Sequence, residues 1–395
     1  MDPSEFWIRP RSLCDANQRA IQDCCFAMPQ HRLRATFCVT RMLELSDSDL
    51  WHAFCQSGRF LSVRPQFRCF PVRSCHVIEY RAFRNYDPPQ ILRLWEQAGL
   101  GHGAAQALSN DMSFDMVNYA QTYFDRHGLI LAVDDGTPVG FVHAGFGCSA
   151  DGNSLDNSTG VICAVVVHPD HRRQGIGREL VSRAEAYLKE KGATQILAGP
   201  SRKTDPFYFG LYGGARPAGF LQSDESAAPF FTSLGYEPSG RYAITSRQMS
   251  DRDPVHFRST MIRRKWELML VDRPEPCSWW WMCRYGRLDA VYCVLVPKTG
   301  GATPVAGVTL VGLDAYANSW KEQAIGLVDL WVDETYRRQG FGQALLLEVV
   351  KRLRKESVTR LTANVEDEDV AAKKVFESVG FSKIDEGVVY KSSSV

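Results

Sequence analysis

The chain contains no uninterrupted apolar stretch of transmembrane length, and its N-terminus lacks the basic-then-apolar layout of a secretory signal. It has no C-x-x-C pair, and no Cys/His spacing suits a zinc site. It also lacks charge of one sign: 46 Lys and Arg against 45 Asp and Glu leave a formal net charge of +1. That balance argues against a general nucleic-acid or membrane-surface binder. The expectations that follow are a cytoplasmic location, no metal, no nucleic-acid partner and no membrane partner. The 12 cysteines read as reduced thiols, seven of them before residue 76.

Residues 1–75 have no lysine but ten arginines, and no motif that carries chemistry. They read as an N-terminal extension, poorly ordered or marginally helical around Asp15–Cys25 and Leu43–Phe54. A start of translation nearer Val72 or Val77 is the sharper alternative. At 395 residues the chain suits two or three domains and has ample material for two cores.

What the sequence does contain is one signal, twice. Val165-Val166-Val167-His168-Pro169-Asp170-His171-Arg172-Arg173-Gln174-Gly175-Ile176-Gly177 ends a buried strand and opens an amphipathic helix. Val332-Asp333-Glu334-Thr335-Tyr336-Arg337-Arg338-Gln339-Gly340-Phe341-Gly342 repeats the core Arg-Arg-Gln-Gly-x-Gly. Such a loop seats a pyrophosphate: glycines let backbone N–H groups approach it, and a helix N-terminus adds partial positive charge. Arg172 and Arg337, Gly175 and Gly340, and Gly177 and Gly342 are each 165 positions apart. The later helix terminators Gly235 and Gly380 are only 145 apart. The shortfall of 20 matches an aromatic, Gly-rich insertion in the first copy, within Gly199–Ser223.

Around these loops the pattern predicts strands at Val77–Phe83, Leu129–Val133, Val139–Phe146, Val161–Val167, Thr194–Ala198 and Arg241–Arg247. Helices are expected from an Asp87 N-cap through Leu100, over Ser113–Phe124, over Arg178–Lys191 and over Ser223–Leu234. Cys148–Gly160, polar and rich in Gly, Ser and Asn, reads as a mobile loop. Residues 248–275 read as a connector holding a last strand, Trp266–Val271. In the second copy, strands are expected at Val291–Val296, Val305–Leu313, Gly326–Val332, Leu361–Val365 and Val388–Lys391. The helices expected there are Gln343–Lys355 and Asp369–Val379; the Trp-rich Ser278–Tyr285 reads as a short helix or strand, its tryptophans as core or interdomain packing. The hairpin turn lies at Lys298-Thr299-Gly300-Gly301.

A strand, V-x-x-x-x-x-R-R-x-G-x-G, a helix, then strand, helix and a terminal G-[FY], present twice from about residue 77 onward, resembles the GNAT superfamily of N-acetyltransferases. The tandem layout is similar to mycothiol synthase and related tandem acetyltransferases. The resemblance implies an α/β fold of two tandem domains, each a mixed, strongly twisted sheet flanked by helices. The boundaries read as 1–75 extension, 76–250 first domain, 251–275 connector and 276–395 abbreviated second domain. It implies an acetyl-CoA-dependent transferase acting on a small amine or peptide acceptor in a ternary complex, as a monomer or weak homodimer. A non-catalytic acyl-CoA-binding or scaffold protein with degenerate domains is the alternative.

By the same resemblance, acetyl-CoA would meet Val165, Val167, Arg172, Arg173, Gln174, Gly175, Ile176, Gly177 and Arg178 in the first copy. In the second it would meet Leu330, Val332, Arg337, Arg338, Gln339, Gly340, Phe341, Gly342, Gln343 and Asn364. The tyrosine that often protonates the departing thiolate is replaced by Phe231 and Phe376. Tyr208 and Tyr212 of the insertion are substitute candidates, and His143, on the strand beside Val161–Val167, is a candidate catalytic base. The first copy reads as the catalytic one, with the second binding acetyl-CoA structurally or completing the fold. His168, His171 and Asp329 have structural readings.

Overall fold

The computed structural model describes residues 77–106, 113–202, 204–286, 288–299 and 303–393. The N-terminal extension, its two marginal helices, its seven cysteines and the tip of the 298–301 turn lie outside the described residues.

In the first copy the elements are β1 (Glu79–Ala82), α1 (Pro88–Gln97), α2 (Ser113–Asn118), β2 (Leu129–Asp134), β3 (Thr137–Cys148) and β4 (Leu155–Val167). They continue with α3 (Ile176–Glu190), β5 (Gln195–Ala198), β6 (Phe220–Leu221), α4 (Ala227–Ser233) and β7 (Tyr236–Gln248). Then follow α5 (Phe257–Lys265), β8 (Trp266–Val271), α6 (Trp279–Tyr285), β9 (Ala290–Pro297), β10 (Ala306–Gly312), α7 (Ala317–Trp320) and β11 (Ala324–Val332). The chain closes with α8 (Phe341–Leu353), β12 (Arg360–Glu366), α9 (Val370–Ser378) and β13 (Ser382–Ser392).

All the described strands join one mixed sheet in the order β1-β2-β3-β4-β5-β13-β7-β12-β11-β10-β9-β8, with β6 pairing β13 to one side. The centre of this order is an exchange. The closing strand of the second copy, β13, pairs with β5 of the first through Tyr390↔Ala198 and Lys391↔Leu197. The closing strand of the first copy, β7, pairs with β12 of the second from Arg360↔Gln248 to Glu366↔Tyr242. β7 and β13 then pair with each other, antiparallel, from Ser382↔Ser246 to Ser392↔Tyr236. Each half of the sheet is thus completed by the other half's last strand.

The core follows the sheet. On one face Leu180, Val181, Ala184 and Leu188, one stripe of α3, pack with Val142 and Ile162 of the first copy and with Val388 and Tyr390 of the exchanged strand. Burying a leucine such as Leu180, which is fully enclosed, contributes about 1.5–3 kcal/mol. A corresponding core under α8 holds Leu345, Leu346, Val349 and Leu361. A further cluster runs through both copies, from Trp95 and Phe207 to Tyr285, Tyr316 and Val328.

Four local expectations change. The stretch expected to be a mobile loop is largely strand: β4 begins at Leu155, because Gly147↔Asp156 and Cys148↔Leu155 continue the hairpin with β3. Its polar residues fooled the pattern, since this end of the strand is exposed. Asp87 does not cap α1 with its side chain. Its carboxylate instead takes both guanidinium nitrogens of Arg81 at 2.8 Å and the Arg84 N–H at 2.7 Å. The helix expected to reach Phe124 stops at Asn118, whose amide turns back to the Phe114 carbonyl at 2.9 Å. In the segment read as connector, α5 was not foreseen, and β8 pairs with β9 at the outer edge of the second half.

Candidate active site

β4 and β5 run parallel and pair from Thr159↔Gln195 to Ile162↔Ala198. There the chain leaves the sheet: Gly199 donates to the Ile162 carbonyl and turns away. Among the described residues, β4 continues unpaired on that edge to Val167, held by β3 on its other side. A bulge at Cys163, where the register shifts between His143 and Ala144, bends it. The result is an open strand edge at Ala164–Val167, the geometry that accepts an extended ligand as an added strand.

The loop beyond this edge is held by its own side chains. The Arg172 Nε donates to the Val167 carbonyl at 3.0 Å, and its guanidinium reaches the Ala98 carbonyl at the end of α1. Gln174 donates to the Asp170 carbonyl at 3.1 Å. Arg173, at φ 61°, and Gly175, at φ 85°, take left-handed conformations. A Cβ on Gly175 would meet nothing within 4 Å, so the approach to the loop is open. The first-turn N–H groups of α3, from Ile176 to Arg178, have no intrahelical acceptor. The guanidinium of exposed Arg173 makes no hydrogen bond to the described residues. A cavity of about 720 Å³ lies along this loop and strand edge, walled opposite by residues of α4 such as Phe230.

At the inner end of that groove a narrow apolar pocket of about 30 Å³ is lined by Trp95, Cys163, Ala164, Tyr208 and Tyr212. Tyr208 is fully enclosed, at φ 65°, and its ring stacks on Trp95 with centroids 5.5 Å apart and planes 6° from parallel. Its hydroxyl lies 3.1 Å from Nδ1 of His143. His143 is wholly buried and stacked on Phe207 at 4.0 Å. Burial pushes its pKa down to about 3, and its Nε2 has no hydrogen-bond partner among the described residues. Burial first, then nearby Tyr119 and Cys163, push the Tyr208 phenol well above its ordinary value. The Tyr212 hydroxyl accepts the Leu221 N–H at 3.0 Å. Phe231 stacks on Phe220 at 4.7 Å and on Tyr390 at 5.4 Å, a packing residue.

The second loop repeats the first loop's Arg and Gln bonds to the backbone, but the Arg337 guanidinium pairs with Glu334 at 3.3 Å where that of Arg172 reaches Ala98. The Arg337 Nε donates to the Val332 carbonyl at 3.0 Å, Gln339 donates to the Thr335 carbonyl at 2.6 Å, and Arg338 and Gly340 are left-handed. Its surroundings differ. α5 lies against it: a Cβ on Gly340 would sit 3.6 Å from Ile262 and 3.7 Å from Arg258. Ser259 donates to the Gln343 side chain at 2.8 Å. Asn364 gives its amide to the carbonyls of Gly213 (2.7 Å) and Arg216 in the first copy's insertion. Leu330 and Val332 remain on β11, half-buried, while Phe341 and Gly342 are buried in the opening of α8.

Asp329 sits at the bulge of β11 at φ 54°, and both its oxygens take the Arg216 guanidinium, at 2.9 and 3.1 Å. Burial works to raise its pKa, but Arg216 and then Arg284 hold the carboxyl below its usual range. Among the residues that line the first copy's pocket, Trp95 and Cys163 carried no functional signal in the sequence. His168 and His171 lie in the loop, where the His168 Nδ1 accepts the Asp170 N–H at 3.3 Å, and His171 faces Asp134 at 3.4 Å. No group of three or more His, Cys, Asp or Glu side chains among the described residues is placed to hold a metal.

The acetyltransferase (GNAT) family matches residues 98–210 and 259–381, one match over each loop. The chain belongs to the GNAT acetyltransferase family. An acetyltransferase of Sodalis glossinidius (strain morsitans), SG1711, is 29% identical over 119 residues, which span 30% of this chain and 72% of that protein. Among solved structures, a tandem GNAT protein from the clavulanic acid biosynthesis pathway aligns with TM-score 0.53 at 16% identity, over 80% of this chain and 98% of its own. The GCN5-related glucosamine N-acetyltransferase region of a fungal multi-domain GH3 β-N-acetylglucosaminidase aligns with TM-score 0.57 at 16% identity. It covers 81% of this chain, which spans only 38% of that protein. At such identities these GNAT structures establish the shared fold, two tandem domains on a mixed α/β sheet, and the family assigns acetyl transfer from acetyl-CoA in general terms. No helix among the described residues is long and apolar enough to cross a membrane.

Proposed function

We propose that the chain is an N-acetyltransferase that moves acetyl from acetyl-CoA to the amine of a small molecule or peptide in a ternary complex, and that the first copy performs the reaction. The observation that carries this reading is the continuity of the open groove at Val165–Gly177 with the pocket beneath Tyr208. In this reading the pyrophosphate rests on the N–H groups of Ile176, Gly177 and Arg178 with Arg173 beside it. The pantetheine arm pairs with the free edge of β4 at Val165 and Val167.

The thioester then lies near the Cys163–Ala164 bulge, where a backbone N–H of the open strand edge would polarise its carbonyl. A neutral amine attacks the carbonyl carbon, the C–N bond forms, and the C–S bond breaks. An alkylammonium with pKa about 10.4 is only about 0.04% neutral at pH 7, so a desolvated pocket aids the attack by favouring the uncharged form. The departing thiolate takes the Tyr208 proton, and the phenolate regains one from the nitrogen, which sheds it as the amide forms, so the products are the amide and free thiol and Tyr208 is restored.

His143 suits a supporting role rather than that of a base, since its pKa near 3 makes it a poor proton acceptor. With the proton on Nδ1 it donates to the Tyr208 oxygen, and the phenolic hydrogen is free to face the pocket. The unpartnered Nε2 is then a buried lone pair rather than a buried N–H.

The test is release of free thiol from acetyl-CoA across an amine panel with the full chain, and with Gly175→Asp and Gly340→Asp. A carboxylate at position 175 should repel the pyrophosphate and abolish turnover, with a much smaller effect at 340. Acetyl-CoA binding without turnover on any amine would overturn the reading, as would loss of turnover at 340 alone.

A further inference from the structure

The cleft between β11 and β12 of the second copy corresponds to the cofactor groove between β4 and β5 of the first, and it is filled from within the chain. β11 and β12 pair only from Ala324↔Arg360 to Leu327↔Ala363. Just past that point stand Gly213–Arg216 of the first copy's insertion. Ala215 lies so close to Gly326 that a Cβ there would come within 2.1 Å of it. The N–H of Gly214 reaches the Tyr316 hydroxyl at 3.1 Å. Asn364, the residue the family resemblance would have turned to coenzyme A, is spent on the Gly213 and Arg216 carbonyls. Asp329 grips the Arg216 guanidinium with both oxygens.

The other face of the same insertion is the wall of the first copy's pocket. Pro200 and Pro217 line that pocket, while their near neighbours Arg202 and Arg216 line a different cavity of about 400 Å³ beside Asp329. From Asn364 a short run of bonds leads to the reacting end. Gly213 donates to the Gly103 carbonyl at 2.9 Å, and Ala105 donates to the Leu211 carbonyl at 2.8 Å. The Trp95 indole donates to the Ala105 carbonyl at 2.9 Å, and its ring stacks on Tyr208. Tyr208 itself holds a left-handed backbone, a conformation costly to a bulky residue unless its surroundings impose it.

We propose that the second copy does not take acetyl-CoA but holds the first copy's insertion in its cofactor cleft, and that Asn364 and Asp329 are positioning residues that set Tyr208 over the first copy's pocket. The second domain thereby serves the first as a clamp. The proposal rests on the reading that the first copy carries the reaction.

Two measurements on the full chain test it separately. Calorimetric titration of the wild-type protein with acetyl-CoA should give one site per chain, lost in Gly175→Asp. Two sites per chain would overturn the filled cleft, whether or not any amine is acetylated. Next, Asn364→Asp places a carboxylate against two carbonyl oxygens without changing the side chain's size. It should lower kcat at saturating amine at least tenfold, leave the acetyl-CoA dissociation constant within twofold, and add little to the loss caused by Tyr208→Phe. Asp329→Asn, which weakens the grip on Arg216, should shift kcat in the same direction with the same unchanged binding. Wild-type kcat in both variants, or cofactor binding that weakens in step with kcat, would overturn the positioning role. A wild-type chain that binds one acetyl-CoA yet releases no thiol with any amine would sink the catalytic reading and leave the filled cleft standing. If either substitution prevents folding, the wild-type stoichiometry still decides the first half and the other variant decides the second.

Discussion

Nδ1 of His143 and the hydroxyl of Tyr208 lie 3.1 Å apart, two wholly enclosed groups from segments 65 residues apart in sequence. The pair sits beside the pocket at the closed end of the groove. If Tyr208 supplies the proton to the departing thiolate, Tyr208→Phe keeps the stack on Trp95 and removes only the acid. General acid catalysis contributes about 10²–10⁴-fold, so kcat should fall by about that factor while acetyl-CoA binding holds. The check is steady-state kinetics beside a binding titration. A variant at full speed would leave the thiolate to some other donor.

His143 also predicts a pH dependence of stability. Its pKa is about 3 in the folded chain and about 6.5 when unfolded. Between those values the unfolded chain binds a proton that the folded chain refuses. The contribution is therefore whole above pH ~6.5 and is lost as pH falls, at up to about 1.4 kcal/mol per unit. His143→Phe, with a ring to stack on Phe207, removes this dependence. Urea unfolding at several pH values from 7 to 4.5 should show the wild type losing stability more steeply than the variant. Parallel curves would show that the imidazole does not remain neutral as it is buried.

The loops and their neighbours were legible in the sequence because their determinants are local. Arg-Arg-Gln-Gly-x-Gly needs only a strand before it and a helix after it, and both copies adopt the same bonds. The exchange of β7 and β13 was not legible, since either closing strand has the same alternation and could pair with either half; only the three-dimensional register decides. The insertion was visible as 20 extra residues, but its anchorage was not. Gly213, Ala215 and Asn364 carry no pattern that announces a contact between residues about 150 positions apart. α5 was hidden for another reason. Its apolar residues follow no helical stripe, and it carries Arg263, Arg264 and Lys265 in its last turn, so neither periodicity nor polarity marked it as a cover for Gly340.

The two arginines of the first loop should behave differently. Arg172 is engaged with the Val167 and Ala98 carbonyls, so it braces the loop against α1. Arg173 has no such bond and faces the groove. A charge-assisted hydrogen bond is worth about 1.5–3 kcal/mol. Arg173→Ala should therefore weaken acetyl-CoA binding about 10–100-fold and reduce its dependence on ionic strength. Arg172→Ala should lower the unfolding midpoint and weaken binding with the salt dependence unchanged. Titrations at two salt concentrations, with thermal unfolding of each variant, separate the roles. Equal salt slopes for wild type and Arg173→Ala would remove Arg173 from the phosphate site.

Asp205 has no exposed surface and stands between two buried guanidinium groups, Arg216 with Nε at 3.0 Å and Arg284 at 2.6 Å. Arg216 has Asp329 as a second carboxylate, whereas Arg284 has the Trp280 carbonyl at 3.4 Å and the ring faces of Trp280 and Tyr285. Removing one member of a buried ion network leaves the others charged and uncompensated, which costs about 3–5 kcal/mol. Asp205→Ala should lose about that much stability in urea unfolding. Restoring an uncharged partner by the double change Asp205→Ala with Arg284→Met should recover part of it, because Arg284 is then no longer a stranded charge, while Arg216 keeps Asp329. A single variant within 1 kcal/mol of wild type would mean that water reaches these arginines, and the wall between the two cavities would have to be more open than Asp205, Arg216 and Arg284 make it.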